Sequence, residues 1–281
     1  MIDIHAHTSK HLLNGLHTKN ATIENIEYFA LKYKIQKIYL MATYFPLKGT
    51  GVKNSDLIDR IKNNPLFGCF GSLNMETMNE FNELEMYIKS GLIDGIKLLP
   101  GYQNIILSDS KFDCIYKLAQ NNNIPIAIHT GILHPCCSKL NYLRCNLKKC
   151  VLSDRQQLSN PKQIREIAIK FPKVKFLAAH LSNPFFNELR NVMIECPNVF
   201  TDVSGLFVSG TEEDTFEYRQ LLKNEIMKFI SINSNRIIFG TDFPIQSYED
   251  SIDLIKSLNI TSAYKNKIFI ENAQFLLKGA L

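Results

Sequence analysis

No apolar run in this chain approaches the ~20 residues that a membrane-spanning helix needs, which excludes a bilayer span. No block of five or more Lys/Arg occurs, and the net charge of +5 is spread along the chain, so a nucleic-acid partner is not expected. The first residues lack the basic-then-apolar layout of a signal peptide. Seven cysteines, an odd number with no sign of export, read as reduced thiols in a cytoplasmic protein. No Gly-rich loop follows an early strand, which argues against a doubly wound nucleotide-binding sheet. Nor does a Pro/Gly/Ser-rich linker divide the chain, so residues 1–281 read as one domain. A hydrophobic content of 45% is enough for one large core.

What is present begins at once, with Ile2-Asp3-Ile4-His5-Ala6-His7. In an extended strand, alternate side chains share a face. The pattern predicts Asp3, His5 and His7 on one face and Ile2, Ile4 and Ala6 on the other. Two imidazoles two residues apart on a rigid face make a ready pair of metal ligands.

Strand-like and helix-like segments then alternate to the end. Short apolar, β-branched runs predict strands at Ile2–His7, Lys37–Thr43, Leu66–Leu73, Gly95–Leu99, Ile124–His129, Lys175–His180, Val199–Val203 and Arg236–Thr241. Helical spacing appears at Ile23, Ile26, Phe29, Ala30 and Tyr33, and again at Phe112, Ile115, Tyr116 and Leu118. Asn160-Pro161 is a helix start, Ser247 is a cap, and a last helix is expected from about Ala263 to Lys278. Eight such repeats predict an α/β fold, a (β/α)8 TIM barrel. The loop after strand five (132–159) is enlarged, and the one after strand seven (206–217) is long. Loops of that length usually cover or line a site.

In such a barrel the chemistry sits at the C-terminal ends of the strands. There the sequence places His5 and His7 (strand one), Lys97 (four), His129 (five), His180 (six) and Asp242 (eight). Four of seven histidines converging on one mouth with an aspartate are hard to explain as packing. Imidazoles and a carboxylate, with no cysteine at a strand end, favour Zn²⁺, with Mn²⁺, Fe²⁺ or Co²⁺ as alternatives. Such an ion acidifies a bound water towards neutral pH.

The stretches Asp-Ile-His-Ala-His, Ile-His-Thr-Gly, Ala-His-Leu-Ser and Gly-Thr-Asp-Phe-Pro resemble the amidohydrolase superfamily. More narrowly, the chain resembles the amidohydrolase-related branch that includes aminocarboxymuconate-semialdehyde decarboxylase and several lactone and amide hydrolases. Phe171–Phe176 leading into His180, Pro197–Gly205 and Glu271-Asn272-Ala273 extend the resemblance over nearly the whole chain. By that resemblance, His5, His7, His129 and Asp242 bind the metal. His180 completes the site or stands beside it, and Asp242 relays a proton between water and leaving group. Lys97 has three readings: a carboxylated bridge between two metals, a cation that holds a substrate carboxylate, or a lysine that leaves through solvent. One ion or two therefore depends on Lys97 and His180.

The expected activity is hydrolysis of a small ester, lactone or amide by metal-bound hydroxide. The alternative is non-oxidative decarboxylation of a small unsaturated or aromatic acid. A TatD-type nuclease would want a glutamate where Lys97 stands. The partner expected is a small-molecule substrate, anionic if Arg144, Lys148 and Lys149 meet it, and a homo-oligomer is compatible with the sequence. Cys136, Cys137, Cys145 and Cys150 do not match paired metal-ribbon spacing. Weaker site candidates are Tyr44, Asn74 and Ser204, while His11 and His17 read as surface residues.

Overall fold

Eight parallel strands, hydrogen-bonded in sequence order, surround one axis in the computed structural model: β1 (Ile2–Ala6), β2 (Lys37–Met41), β3 (Phe67–Ser72), β4 (Gly95–Leu98), β5 (Ile126–Ile128), β6 (Phe176–Ala178), β7 (Val199–Asp202) and β8 (Ile237–Ile238). The structure describes residues 1–9, 21–44, 51–133 and 153–277. His11, His17 and the four loop cysteines lie outside them, as do Arg144, Lys148 and Lys149. The ring closes where β1 meets the chain beyond β8. The Ile4 N–H donates to the Phe239 carbonyl at 3.1 Å, and the His7 N–H to the Phe243 carbonyl at 2.8 Å. Helices follow the strands, as the alternation of patterns predicts, and the fold is a (β/α)8 barrel. Helix Ile23–Tyr33 is capped by the Thr22 side chain and buries Ile26 and Ala30. Ser247 likewise caps Tyr248–Lys256. Among the described residues, no helix is long and apolar enough to cross a membrane.

The simple alternation expected of β1 does not hold. Its register with β2 pairs Ile2 with Lys37, Asp3 with Ile38, then Ala6 with Leu40. Three steps on β1 therefore oppose two on β2, which is a β-bulge. Ile2 and Ile4 pack inside the barrel with Phe70, Ala127 and Leu177, while Ala6 packs outside among the helices. The extra residue turns His5 inward beside Ile4 and leaves Asp3 facing outward. His5 and His7 still meet at the mouth, their ring centroids 5.3 Å apart.

The last helix is also more elaborate than its sequence suggests. It runs as Ser262–Asn266 and Asn272–Leu277, joined by a π-helical turn over Lys267–Glu271. There the Asn272 N–H reaches back to the Lys267 carbonyl. The Ile268 carbonyl accepts the Phe239 N–H at 2.9 Å, which completes the end of β8. Beyond it, Ala273 and Leu276 join the inner core and close one end of the barrel.

Asp3 clips β1 to β8 and takes no part in the mouth. Its Oδ1 accepts the N–H groups of His5 and Thr241, each at 3.1 Å, and its Oδ2 accepts the Thr241 hydroxyl at 2.7 Å. Burial pushes its carboxyl up to about 7, against the donors of Thr241 and His5. A carboxyl whose folded pKa is raised costs the fold nothing below its unfolded pKa. It costs progressively more as pH rises to the folded value. Relative to Asp3→Asn, the wild type should therefore lose stability between about pH 4 and 7, by up to roughly 4 kcal/mol at about 1.4 kcal/mol per pKa unit. Urea unfolding of both proteins across that range checks this, and a pH-independent gap would contradict it.

Candidate metal centre

The mouth is built from strand ends whose side chains the sheet register turns inward. His5, His180 and Asp242 are buried and each offers one ligand atom within 4.8 Å of the others. The His5 ring lies 4.9 Å from that of His180, centroid to centroid, and His180 lies 5.1 Å from His129. His7 stands at the rim, where its Nε2 contacts Asp242 Oδ1 at 3.0 Å. His5 Nε2 lies 3.6 Å from the same oxygen. His129 turns its Nε2 to the Ile132 carbonyl at 3.2 Å.

Behind these residues stands Asp202, at the end of β7. Its Oδ2 lies 2.9 Å from His5 Nδ1. Its Oδ1 accepts the His180 N–H at 2.8 Å, the Ser204 hydroxyl at 2.6 Å and the Ser204 N–H at 3.2 Å. Burial opposes its ionisation, but these donors and the His5 ring hold it at about 2. Asp242 is likewise held below the ordinary carboxylate range: burial opposes ionisation, and His180 and His7 outweigh it. Burial and then Lys97 lower His5 to about 3, so its imidazole is neutral. Burial, with His180 and Lys97 beside it, also pushes His129 well below the ordinary imidazole range.

Backbone conformation concentrates strain here. His180, Leu181 and Ser182 are consecutive left-handed residues with φ of 64°, 49° and 53°, and Asp242 has φ 54°. Such positions cost on the order of 1–3 kcal/mol each and persist only where neighbours fix them. The fixing bonds run from the His180 N–H to Asp202 and from the Asp242 N–H to the His5 carbonyl at 2.7 Å. Gly205 makes room for Asp242: with φ +55°, an added Cβ would lie 2.5 Å from Asp242 Oδ2.

Lys97 does not leave through solvent. It is 1% exposed, and its Nζ lies 3.2 Å from His5 Nε2. Burial lowers it to about 8, with Asp202 and Asp242 opposing, so it remains an ammonium at neutral pH. The loop after strand seven is fastened down. Arg219 forks onto Asp214 at 2.6 and 2.8 Å and reaches Asp250 at 2.7 Å. Of the weaker candidates, only Ser204 joins the site. Asn74 closes a local turn onto Glu76, and the Tyr44 hydroxyl is pushed up by burial and by its bond to Glu80.

Asp202 was legible only as part of the Pro197–Gly205 resemblance. Its own signal is a charged residue at the C-terminal end of a β-branched strand, the signal that identified Asp242. The donor set fits a divalent cation: imidazoles and an ionised carboxylate converge, and the second nitrogens of His5 and His180 are held by other groups.

Solved structures share this architecture. An uncharacterised TIM-barrel protein from Bordetella bronchiseptica aligns over 98% of this chain and 97% of its own, at 19% identity and a TM-score of 0.71. A probable 2-pyrone-4,6-dicarboxylic acid hydrolase from Acinetobacter baumannii, with citric acid bound, aligns over 98% of both chains at 15% identity and a TM-score of 0.67. A dihydroxybenzoic acid decarboxylase from Polaromonas sp. JS666, with bound manganese and the inhibitor 2-nitroresorcinol, aligns over 99% of this chain and 96% of its own. Its identity is 15% and its TM-score 0.69. No curated protein sequence matches the chain. The amidohydrolase family model matches residues 2–278, nearly end to end, and the chain belongs to that family.

Proposed function

We propose that the protein is a metal-dependent hydrolase of a small-molecule ester, lactone or amide. The observation that carries this reading is the Asp242 carboxylate, which clusters with His5 and His180 and also takes the rim imidazole of His7 at 3.0 Å. His5, His180 and Asp242 would hold the ion, with His7 and His129 as flanking donors. Zn²⁺ suits these ligands best, with Mn²⁺, Fe²⁺ or Co²⁺ as alternatives. When bound, the ion supplies Lewis acidity at the barrel mouth.

The chain's own groups do the rest. Asp242 is ionised and accepts a proton from water, then returns it to the leaving group. His7, with 24% of its side chain exposed, connects Asp242 to solvent. His180 completes the cluster: with its Nδ1 held by the Ser204 carbonyl at 3.0 Å, its Nε2 would serve the ion. Lys97 adds a buried positive charge beneath the site, which favours an anionic substrate.

A second reading, non-oxidative decarboxylation of a small unsaturated or aromatic acid, is favoured by one observation. Among the described residues there is one ligand cluster, and Lys97 points at His5 rather than at a second group of ligands. A one-ion site matches the decarboxylase-like branch that the sequence resembles.

Metal analysis of the purified protein should find about one divalent ion per chain, and chelation should abolish turnover until the ion is returned. Protein that turns over substrate with no ion would contradict the metal reading. Asp242→Asn should lower kcat by at least about 10²-fold, the usual worth of a positioned proton acceptor; an unchanged kcat would remove Asp242 from that role. For the reaction itself, a panel of lactones, amides and aromatic acids in ¹⁸O-water should yield ¹⁸O-labelled hydrolysis products. Release of CO₂ without water addition would replace hydrolysis with the second reading.

A further inference from the structure

We infer that Asp202 is a positioning residue that decides which nitrogen His5 presents to the barrel mouth. The imidazole of His5 is fully buried, with partners of opposite kind at its two nitrogens; the Ser204 Oγ also lies 3.2 Å from Nδ1, but its hydrogen goes to Asp202 Oδ1, so it too can only accept there. On one side, Nδ1 lies 2.9 Å from Asp202 Oδ2. On the other, Nε2 lies 3.2 Å from Lys97 Nζ. A carboxylate oxygen only accepts and an ammonium only donates. Both contacts are satisfied at once by a single tautomer, with the hydrogen on Nδ1 and the lone pair on Nε2.

The rest of Asp202 is fully engaged. Its Oδ1 takes three donors: the backbone N–H groups of His180 and Ser204 and the Ser204 hydroxyl. A peptide N–H can only donate, so Oδ1 must be an acceptor. Ser204 carries the same arrangement one step further. Its carbonyl oxygen lies 3.0 Å from His180 Nδ1, so that nitrogen also bears a hydrogen and leaves Nε2 free. Strand seven supplies no ligand of its own. It sets two ligand histidines of strands one and six in the same tautomer.

The design makes Asp202→Asn an informative change. An amide has one accepting atom, where the carboxylate has two. Three donors keep the amide oxygen at the Oδ1 position, which turns the NH₂ toward His5 Nδ1. His5 then faces a donor at each nitrogen, the Asn NH₂ at Nδ1 and Lys97 at Nε2, so the Nδ1–H form loses the acceptor that singled it out and the Nε2–H form becomes populated. Shape and burial are nearly unchanged.

Long-range ¹H–¹⁵N spectra of metal-free protein labelled with ¹⁵N-histidine read these tautomers directly. In the wild type, His5 and His180 should be the Nδ1–H form. In Asp202→Asn, His5 should lose its pure Nδ1–H signature and show an Nε2–H population, and Zn²⁺ affinity should fall about 10–100-fold, as when the partner of a ligating histidine is removed. Ser204→Ala keeps the Asp202–His5 contact and should keep the His5 tautomer. A wild-type His5 carrying Nε2–H would overturn the inference, as would an Asp202→Asn protein with His5 unchanged. If Asp202→Asn does not fold, the wild-type and Ser204→Ala spectra decide. Only the Zn²⁺ readout rests on the metal reading above: a changed tautomer population with unchanged Zn²⁺ affinity would leave Asp202 in its role and remove His5 from the ligand set.

Discussion

One buried carboxylate holds the mouth of this barrel together. Asp202 is fully buried and ionised, a state that a protein interior tolerates only when the charge is well paired and hydrogen-bonded. It meets that condition through the ring of His5, two backbone N–H groups and the Ser204 hydroxyl. The His5 ring and the His180 N–H belong to strand ends that carry candidate ligands, and Ser204 carries the contact on to His180 Nδ1. The left-handed turn at His180 depends on the same oxygen that receives its N–H. Backbone geometry, histidine orientation and ligand convergence are therefore one coupled arrangement.

A second constraint is the bulge in β1. Without it, strict alternation would place His5 on the same side as Asp3, and Asp3 faces away from the mouth. The extra residue lets one short strand serve both sides. Asp3 fastens the closing seam between β1 and β8 on the outside, and His5 joins the cluster on the inside. The seam is also where Asp242 is positioned, because its N–H and that of Thr241 both donate to the His5 carbonyl. The opening motif and the last strand are thus tied residue to residue.

Much of this was legible in the sequence, and the parts that were not share a cause. Strands and helices follow from local periodicity, and their centres fall where Ile, Val and Phe cluster. The strand-end histidines and Asp242 were legible because each follows an apolar run in a repeating pattern. The bulge was not, because it is a property of the register between β1 and β2, which no single segment encodes. The π turn at Lys267–Glu271 escaped for a similar reason: its freed carbonyl at Ile268 is used by a residue nearly thirty positions earlier, Phe239. The role of Asp202 depends on contacts with strands one and six, so its position on strand seven alone could not assign it.

The similar solved structures include a probable hydrolase and a decarboxylase, so the centre rather than the reaction is the object to test first. Anomalous diffraction from crystals of the Zn²⁺-loaded protein, recorded on both sides of the zinc edge, measures it most directly. The expected result is a single anomalous peak within coordination distance of His5 Nε2, His180 and Asp242, with Asp202 still on His5 Nδ1. A peak that excludes His5 and His180, or an ion held elsewhere on the chain, would contradict the account.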